Sequence, residues 1–591
     1  MTAGGITTDA GPPAAAGTRR RRMSGRFAHR PHVFLELVRH FTTRSLVSDT
    51  LVPQADATRA VGQVLALVAG PGLAIPFLLI MKYLYLATTA PAWIPAAVQV
   101  DRCLFVSYAL AVTGIAAAWQ WDALGLDRRD HATLAPLPLP ARTVQLASCL
   151  AQCLCLALFV LAANCGPVLL FPVVLEIGEG AQGGLAQMIA QSVSTVAGCT
   201  FVFFLILTVR GILPVLLGER TSHRLTPWVQ AGLIVSAALL LFLYPQTARA
   251  LTGPERGVGS FPYWVPSLWF TGLQEWLLGA RQPLPAALAG TAIRALAAVL
   301  IGYSLTLILV RRQYARFGRE GEKPVGGPAS RWRERLRAWL DRRWLTEPLE
   351  RAAFHFCLAT LFRSRRQKLI VTGAVALAVA LAAVRIAAVV SAEPAGGTNG
   401  SVLAIPLILS FCLLLGVRYA AAVPAELPAN WLFQLNAPLA GRPLWRGCRK
   451  FVFIVGVLPP LALLPLSAGP LGWGQAACFH GMVLLLGASL REVLFLRFDK
   501  IPFTCHRLPG AVNLKATWPL FWIGFSIYVH LPVMAGEWLS AHPHGWIIIF
   551  AGLLSALIVL HAFRNRRLAG MARFVFDEEP EPAVQGLNLL P

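Results

Sequence analysis

Uncharged apolar runs of about 20 residues recur along nearly the whole chain, and this feature limits its fold more than any other. A helix rises about 1.5 Å per residue, so a run of that length crosses a hydrocarbon layer about 30 Å thick. On this rule spans fall at Ala60 to Leu86, Cys103 to Trp119, Val144 to Val174, Leu185 to Val209, Pro227 to Tyr244 and Leu284 to Val310. After a basic interruption they resume at Leu369 to Val390, Val402 to Val423, Phe451 to Leu471, Trp473 to Phe495, Ala516 to Leu539 and Trp546 to Phe563. The sequence predicts an all-α polytopic membrane protein with about twelve transmembrane helices. Composition agrees: only 14% of the 591 residues are charged and 56% are hydrophobic, whereas soluble domains carry roughly 25% charged residues. A soluble enzyme and a disordered chain are both excluded on that ground.

The formal net charge of +24 invites nucleic acid as a partner, but its distribution favours the membrane. Basic residues gather on alternate loops: Arg128, Arg129 and Arg142; Arg210, Arg220 and Arg224; Arg442, Arg446, Arg449 and Lys450; Arg497, Lys500, Arg507 and Lys515; and the tail beyond Arg564. The positive-inside rule then predicts that both termini are cytoplasmic. The first residues hold Arg19, Arg20, Arg21, Arg22 and Arg26 with no cleavable apolar segment after them. The stretch from His32 to Leu46 mixes Val33, Leu35, Leu37, Val38 and Phe41 with Glu36, Arg39, His40 and Arg44, a pattern that suits a helix lying in the interface. The segment Arg311 to Lys368 carries a net charge of +10 and interleaves Arg with Trp332, Trp339 and Trp344. Such a segment suits phosphate and stacked bases or anionic lipid with Trp at the headgroups. Being joined to membrane at both ends, it is read as lipid-facing, with no nucleic acid.

Two halves repeat one plan of hydropathy and loop type. The expected organisation is a basic tail and interfacial helix over 1–59, a six-span unit over 60–310, and a basic linker with a second interfacial helix over 311–368. A second six-span unit over 369–563 and a tail over 564–591 complete it. The second interfacial segment is placed at Phe354 to Lys368.

In each half a loop rich in Pro, acid and Arg follows the second span. The first contains Asp122, Leu124, Leu126, Asp127, Arg128, Arg129 and Asp130, then Leu137-Pro138 and Arg142. The second contains Glu426, Trp431, Phe433, Arg442 and Arg446. Apolar residues beside these charges suit a short amphipathic helix that docks on a protein partner or on the membrane surface. The residues alone leave both readings open. At these positions the chain resembles the membrane subunits of type-two ABC exporters, in particular long bacterial forms with two fused permease units. Lys500-Ile-Pro502, Leu508-Pro509-Gly510 and Asn513-Leu-Lys515 are similar to segments of such long permeases.

The resemblance implies an ATP-driven exporter permease in the bacterial cytoplasmic membrane. It further implies two copies of a separate cytoplasmic ATPase docked on the loops. The aromatic-rich stretch Pro245 to Pro283 resembles the family's re-entrant outer gate, while the matching interval Ser540 to Gly545 is too short for one. No G-x-x-x-x-G-K-[ST] run is present, so the chain is expected to bind no cofactor, to be no enzyme itself, and to leave ATP to its partner. His542-Pro-His544 lacks an evident third metal ligand, and the cysteines read as small packing residues. Polar groups within spans, Arg294, Asn164, His480 and His530, are candidates for the substrate path, Arg294 foremost. Arg385, Arg418 and the Arg491-Glu492 pair read instead as snorkelling or paired charges. The rival reading is an ATP-independent secondary transporter or a membrane-embedded enzyme acting on lipids or glycans. It calls for connected intramembrane acids, and the spans offer few beyond Glu492 and Glu537.

Overall fold

The computed structural model describes residues 31–46, 57–124, 134, 139–179, 184–252, 261–317, 331–391, 398–425, 443–496, 498, 501–504 and 514–569. Every regular element among them is helical, and twelve helices are long and apolar enough to cross a membrane. The chain is a polytopic membrane protein. Large apolar side chains stand exposed along these helices, such as Phe77, Leu78 and Met81 early in the chain and Ile547, Ile548 and Val559 late in it. In water such a surface would drive aggregation, whereas hydrocarbon solvates it. By its contacts the chain divides into two compact units, Met1–Val215 with Thr247–Arg312, and Leu216–Gln246 with Gln313–Pro591.

The first unit contains α1 (Pro31–Leu46), α2 (Ala57–Thr89), α3 (Ile94–Trp119) and α4 (Ala141–Glu179). The early arm of α5 (Gly184–Phe242), α6 (Tyr244–Thr252), α7 (Pro266–Leu277) and α8 (Pro283–Phe317) follow. Leu37, Val38 and Phe41 of α1 pack on Ala147 and Ala151 of α4, the buried stripe its amphipathic pattern predicts. Helix α3 is the centre of the unit, with 72% of its most apolar stretch buried. The short helix α7 brings Phe270 and Leu273 against Val106 and Leu110 of α3, Phe201 of α5 and Ala289 and Ala292 of α8. Helices α2 and α4 meet through glycine: a Cβ added at Gly166 would overlap the Gly72 carbonyl. Hydrocarbon does not drive helices together, so close backbone approach at small residues supplies the attraction.

The α5 range holds two helices that meet at a non-helical residue in the interval where the sequence predicts a loop. It bends at Gly218, whose φ of 71° is a left-handed value that a side chain rarely tolerates. Its two arms, Gly184–Gly218 and Arg224–Phe242, are separate spans.

The second unit takes the later arm of α5 and adds α9 (Arg331–Arg343), α10 (Pro348–Arg363), α11 (Arg365–Ser391) and α12 (Thr398–Ala421). Helix α13 (443–452) continues through a π turn at Phe453–Val457 and a 3-10 segment at Pro459–Leu463 into α14 (Leu464–Leu471). Pro459 and Pro460 lack N–H donors, which accounts for the irregular middle of this span. Gly472, at φ 76°, makes the whole turn into α15 (Trp473–Leu494), and α16 (Leu514–Ala541) and α17 (Gly545–Ala569) follow. The span that follows α11, α12, is again 72% buried over its most apolar stretch. The interfacial segment expected at Phe354 to Lys368 is α10 instead: Pro348 opens it, and extended backbone at Ser364, with ψ 127°, separates it from α11. Phe354, Cys357 and Leu361 pack on Leu414, Val417, Trp445, Cys448 and Phe451.

Two measurements check this packing. Gly166→Ala forces apart two touching backbones and should cost about 1–3 kcal/mol, read as a lowered midpoint in detergent-titrated unfolding. Burial, reinforced by the Cys448 thiol 3.8 Å away, pushes the Cys357 thiol well above its ordinary range. A raised pKa leaves little thiolate near neutral pH. Maleimide should therefore label Cys357 slowly in the native protein, with a rate that rises only in strongly alkaline buffer, and quickly once the protein is unfolded.

Candidate functional site

The loops that follow α3 and α12 are each held at their feet by a set of polar contacts. In the first unit the chain leaves α3 through a turn at 120–124 that buries Trp121 and Leu124. Leu124 thus belongs to the foot of the loop, not to an exposed docking face as its setting beside charges suggested. Its carbonyl accepts a hydrogen bond from Gln152 Nε2 of α4, and Gln152 Oε1 accepts one from the Tyr303 hydroxyl of α8 at 2.5 Å. The neighbouring Ala123 carbonyl accepts from Ser45 Oγ of α1 at 3.3 Å. The Asp122 carbonyl accepts from Arg210 of α5 at 3.4 Å. One short turn is thereby tied to α1, α4 and α5, and through Gln152 to α8. The Asp122 and Arg142 side chains are exposed on either side of it. Asp127, Arg128, Arg129 and Asp130 lie outside the described residues.

The second loop has a comparable base. Ala425 N–H donates to the Phe503 carbonyl at 2.9 Å and Phe503 N–H to the Ala421 carbonyl at 2.9 Å. Phe503 is buried and sits at φ 68°, a costly conformation for a bulky residue, held here by this pair of bonds and by the Phe451 ring at 6.0 Å. Gln367 Nε2 of α11 donates to the Val423 carbonyl at 3.1 Å. On the returning side Arg446 is exposed and pairs with Glu347 at 2.9 Å, and Lys450 pairs with buried Glu350 of α10. Glu426, Trp431, Phe433 and Arg442 lie outside the described residues.

Beside this second foot sits a charge cluster. Glu492 of α15 is fully buried and takes Arg491 on one carboxylate oxygen at 2.5 Å and Arg564 of α17 on the other at 2.9 Å. Arg564 also lies 4.5 Å from the centre of the Trp445 ring. Arg449 of α13 reaches the His561 ring at 2.9 Å. Such a cluster keeps a carboxylate ionised at depth only because cations and hydrogen bonds replace its water.

The four residues proposed for a substrate path have separate partners. Arg294 is exposed and bonds back along α8 to the Gly290 carbonyl at 3.1 Å and Thr291 Oγ1 at 3.3 Å. Asn164 is buried between α3, α4 and α5, with Nδ2 donating to the Val160 carbonyl at 2.9 Å and facing Cys199 Sγ at 3.9 Å. His480 is buried with Nε2 at 3.1 Å from Ser467 Oγ. His530 is exposed and receives Arg385 at 3.5 Å. Arg418 bonds to the Leu494 carbonyl and lies over the Phe498 ring.

One buried acid falls outside the span predicted from Cys103. The transmembrane helix begins at Pro91 and carries Asp101 inside it, where Lys82 Nζ at 2.7 Å and the Tyr83 hydroxyl at 2.7 Å satisfy the carboxylate. Lys82 on the preceding helix, 19 residues earlier, is the sequence signal for this pairing. Gln191 and Gln274 form a second buried link, from α5 to α7, at 2.6 Å.

Comparison of the chain with protein-family models, with curated proteins and with solved structures finds no match. The Gln152 bridge can be tested directly. Gln152→Leu preserves the side chain's size but leaves the Leu124 carbonyl and the Tyr303 hydroxyl short of a partner, and should cost about 1–3 kcal/mol. Tyr303→Phe in that background should add less than it does alone, so a double-mutant cycle on unfolding midpoints should give a coupling of about 0.5 kcal/mol or more.

Proposed function

We propose that the chain is the permease subunit of an ATP-driven ABC exporter in a bacterial cytoplasmic membrane, with both termini cytoplasmic. The observation that supports this reading is the shared design of the two units. In each, the most enclosed helix, α3 or α12, runs directly into a loop whose feet are hydrogen-bonded or ion-paired to neighbouring helices. A loop built only to connect spans has no need of such anchorage. A loop that receives force does, because a push on it then reaches the spans without being absorbed by the turn.

In this reading a separate ATPase, in two copies, docks on 122–142 and 426–446. The energy of ATP binding draws the two copies together and each loop passes the displacement to its own unit. The first does so through Gln152, Ser45 and Arg210, the second through Gln367, Arg446 and the strained Phe503 turn. The chain supplies no catalytic residue of its own, and ATP is bound by the partner.

Coexpression with a candidate ABC ATPase, followed by affinity capture, is the direct test. Reversing charge with Arg128→Glu and Arg129→Glu should weaken association by at least about tenfold and remove the stimulation of ATP hydrolysis, while leaving insertion and the unfolding midpoint unchanged. Unaltered association and stimulation would sink the docking assignment. Substrate movement in proteoliposomes under an ion gradient, with no ATPase present, would favour a secondary transporter instead.

A further inference from the structure

The charge cluster of the second unit lines a small depression formed by Trp445, Cys448, Arg449 and Val452 of α13, Arg491 and Phe495 at the end of α15, Pro502, and Arg564 of α17. Three guanidinium groups and one carboxylate, Glu492, leave it a net charge of +2. Among the described residues, the other carboxylates on the packed elements do not cancel this, because Glu347 is engaged by Arg446 and Glu350 by Lys450. The Arg491 side chain is 10% exposed, and its Nε has no acceptor among the described residues. A buried guanidinium N–H without an acceptor is costly, as is a surplus of positive charge at the edge of hydrocarbon. Both costs fall if an anion occupies the depression.

The walls identify the kind of anion. Trp445, Val452, Cys448 and Phe495 give the depression an apolar side, and it lies where three membrane-spanning helices begin or end, the level of lipid headgroups. A free inorganic phosphate would gain nothing from those walls, whereas a glycerophospholipid presents a phosphate directly above an apolar body. We propose that this depression binds the headgroup phosphate of an anionic glycerophospholipid. Arg449 and the Nε of Arg491 serve as its donors, while Arg564 is retained by Glu492. Planar guanidinium groups suit phosphate oxygens because they offer paired N–H donors. The site is independent of whether an ATPase docks on the loops.

The test uses the full chain purified in detergent, with lipid retention read by native mass spectrometry and stability by thermal unfolding. Phosphatidylglycerol should be retained in preference to phosphatidylcholine and should raise the unfolding temperature. Arg449→Gln should lower that retention about tenfold, the loss of one charge-assisted hydrogen bond, whereas Arg281→Gln, at an exposed position of the first unit, should leave it unchanged. Equal retention of the two lipids by the unaltered chain would overturn the proposal even if the Arg449 variant failed to fold. So would inorganic phosphate giving the same stabilisation as phosphatidylglycerol. The chain's own acidic tail, with Asp577, Glu578, Glu579 and Glu581, is the remaining competitor. Retention seen only after all four are changed to their amides would assign the depression to the tail and overturn the lipid site.

Discussion

Hydrocarbon solvates neither backbone amides nor charges, and the rest of this structure follows from that constraint. Helices satisfy their own backbone, so the interiors of the spans are left to apolar packing and close glycine contacts such as Gly72 with Gly166. Polar side chains survive at depth only with partners. Asp101 does so with Lys82 and Tyr83, Glu492 with Arg491 and Arg564, and Gln191 with Gln274. Turns and loop feet, where the helical ladder ends, need other donors, and Gln152, Ser45 and Gln367 supply them.

Two of these charge groups differ in kind. Asp101 and Lys82 are matched one to one, and this half-buried pair links α2 to α3 without leaving an unbalanced charge behind. Glu492 is outnumbered by cations drawn from three helices. That imbalance makes the cluster a recognition surface as well as a clasp, and it lies next to the foot of the second loop.

The twelve-span, all-helical architecture was readable because a 20-residue apolar run has few alternatives. The first helix and its buried stripe were readable from the spacing of Leu37, Val38 and Phe41. Other features were hidden for physical reasons. Asp101 reads as a loop residue until Lys82 is known to face it, since a charge in a span is tolerable only through a contact that sequence order does not display. The bend at Gly218 reads as a loop because Arg220 and Arg224 follow it, yet helix continues on both sides. Gly472 reads as one glycine among several, although it alone turns the chain between two spans. For the loops, the residues named for docking were legible as a pattern of charge and apolar groups. Their anchorage was not, because Gln152 and Tyr303 are 151 positions apart.

The bend at Gly218 also sets an order of assembly. The later arm of α5 belongs to the unit whose remaining helices are all encoded downstream, and its fully buried Gln230 accepts a hydrogen bond from Arg365, 135 residues later. A ribosome adding 5–20 residues per second reaches that partner only after roughly 7 to 27 seconds. During that interval this contact to the Gln230 amide cannot yet form. Neither unit is a contiguous stretch of chain, so a helix of the second is synthesised before the last helices of the first.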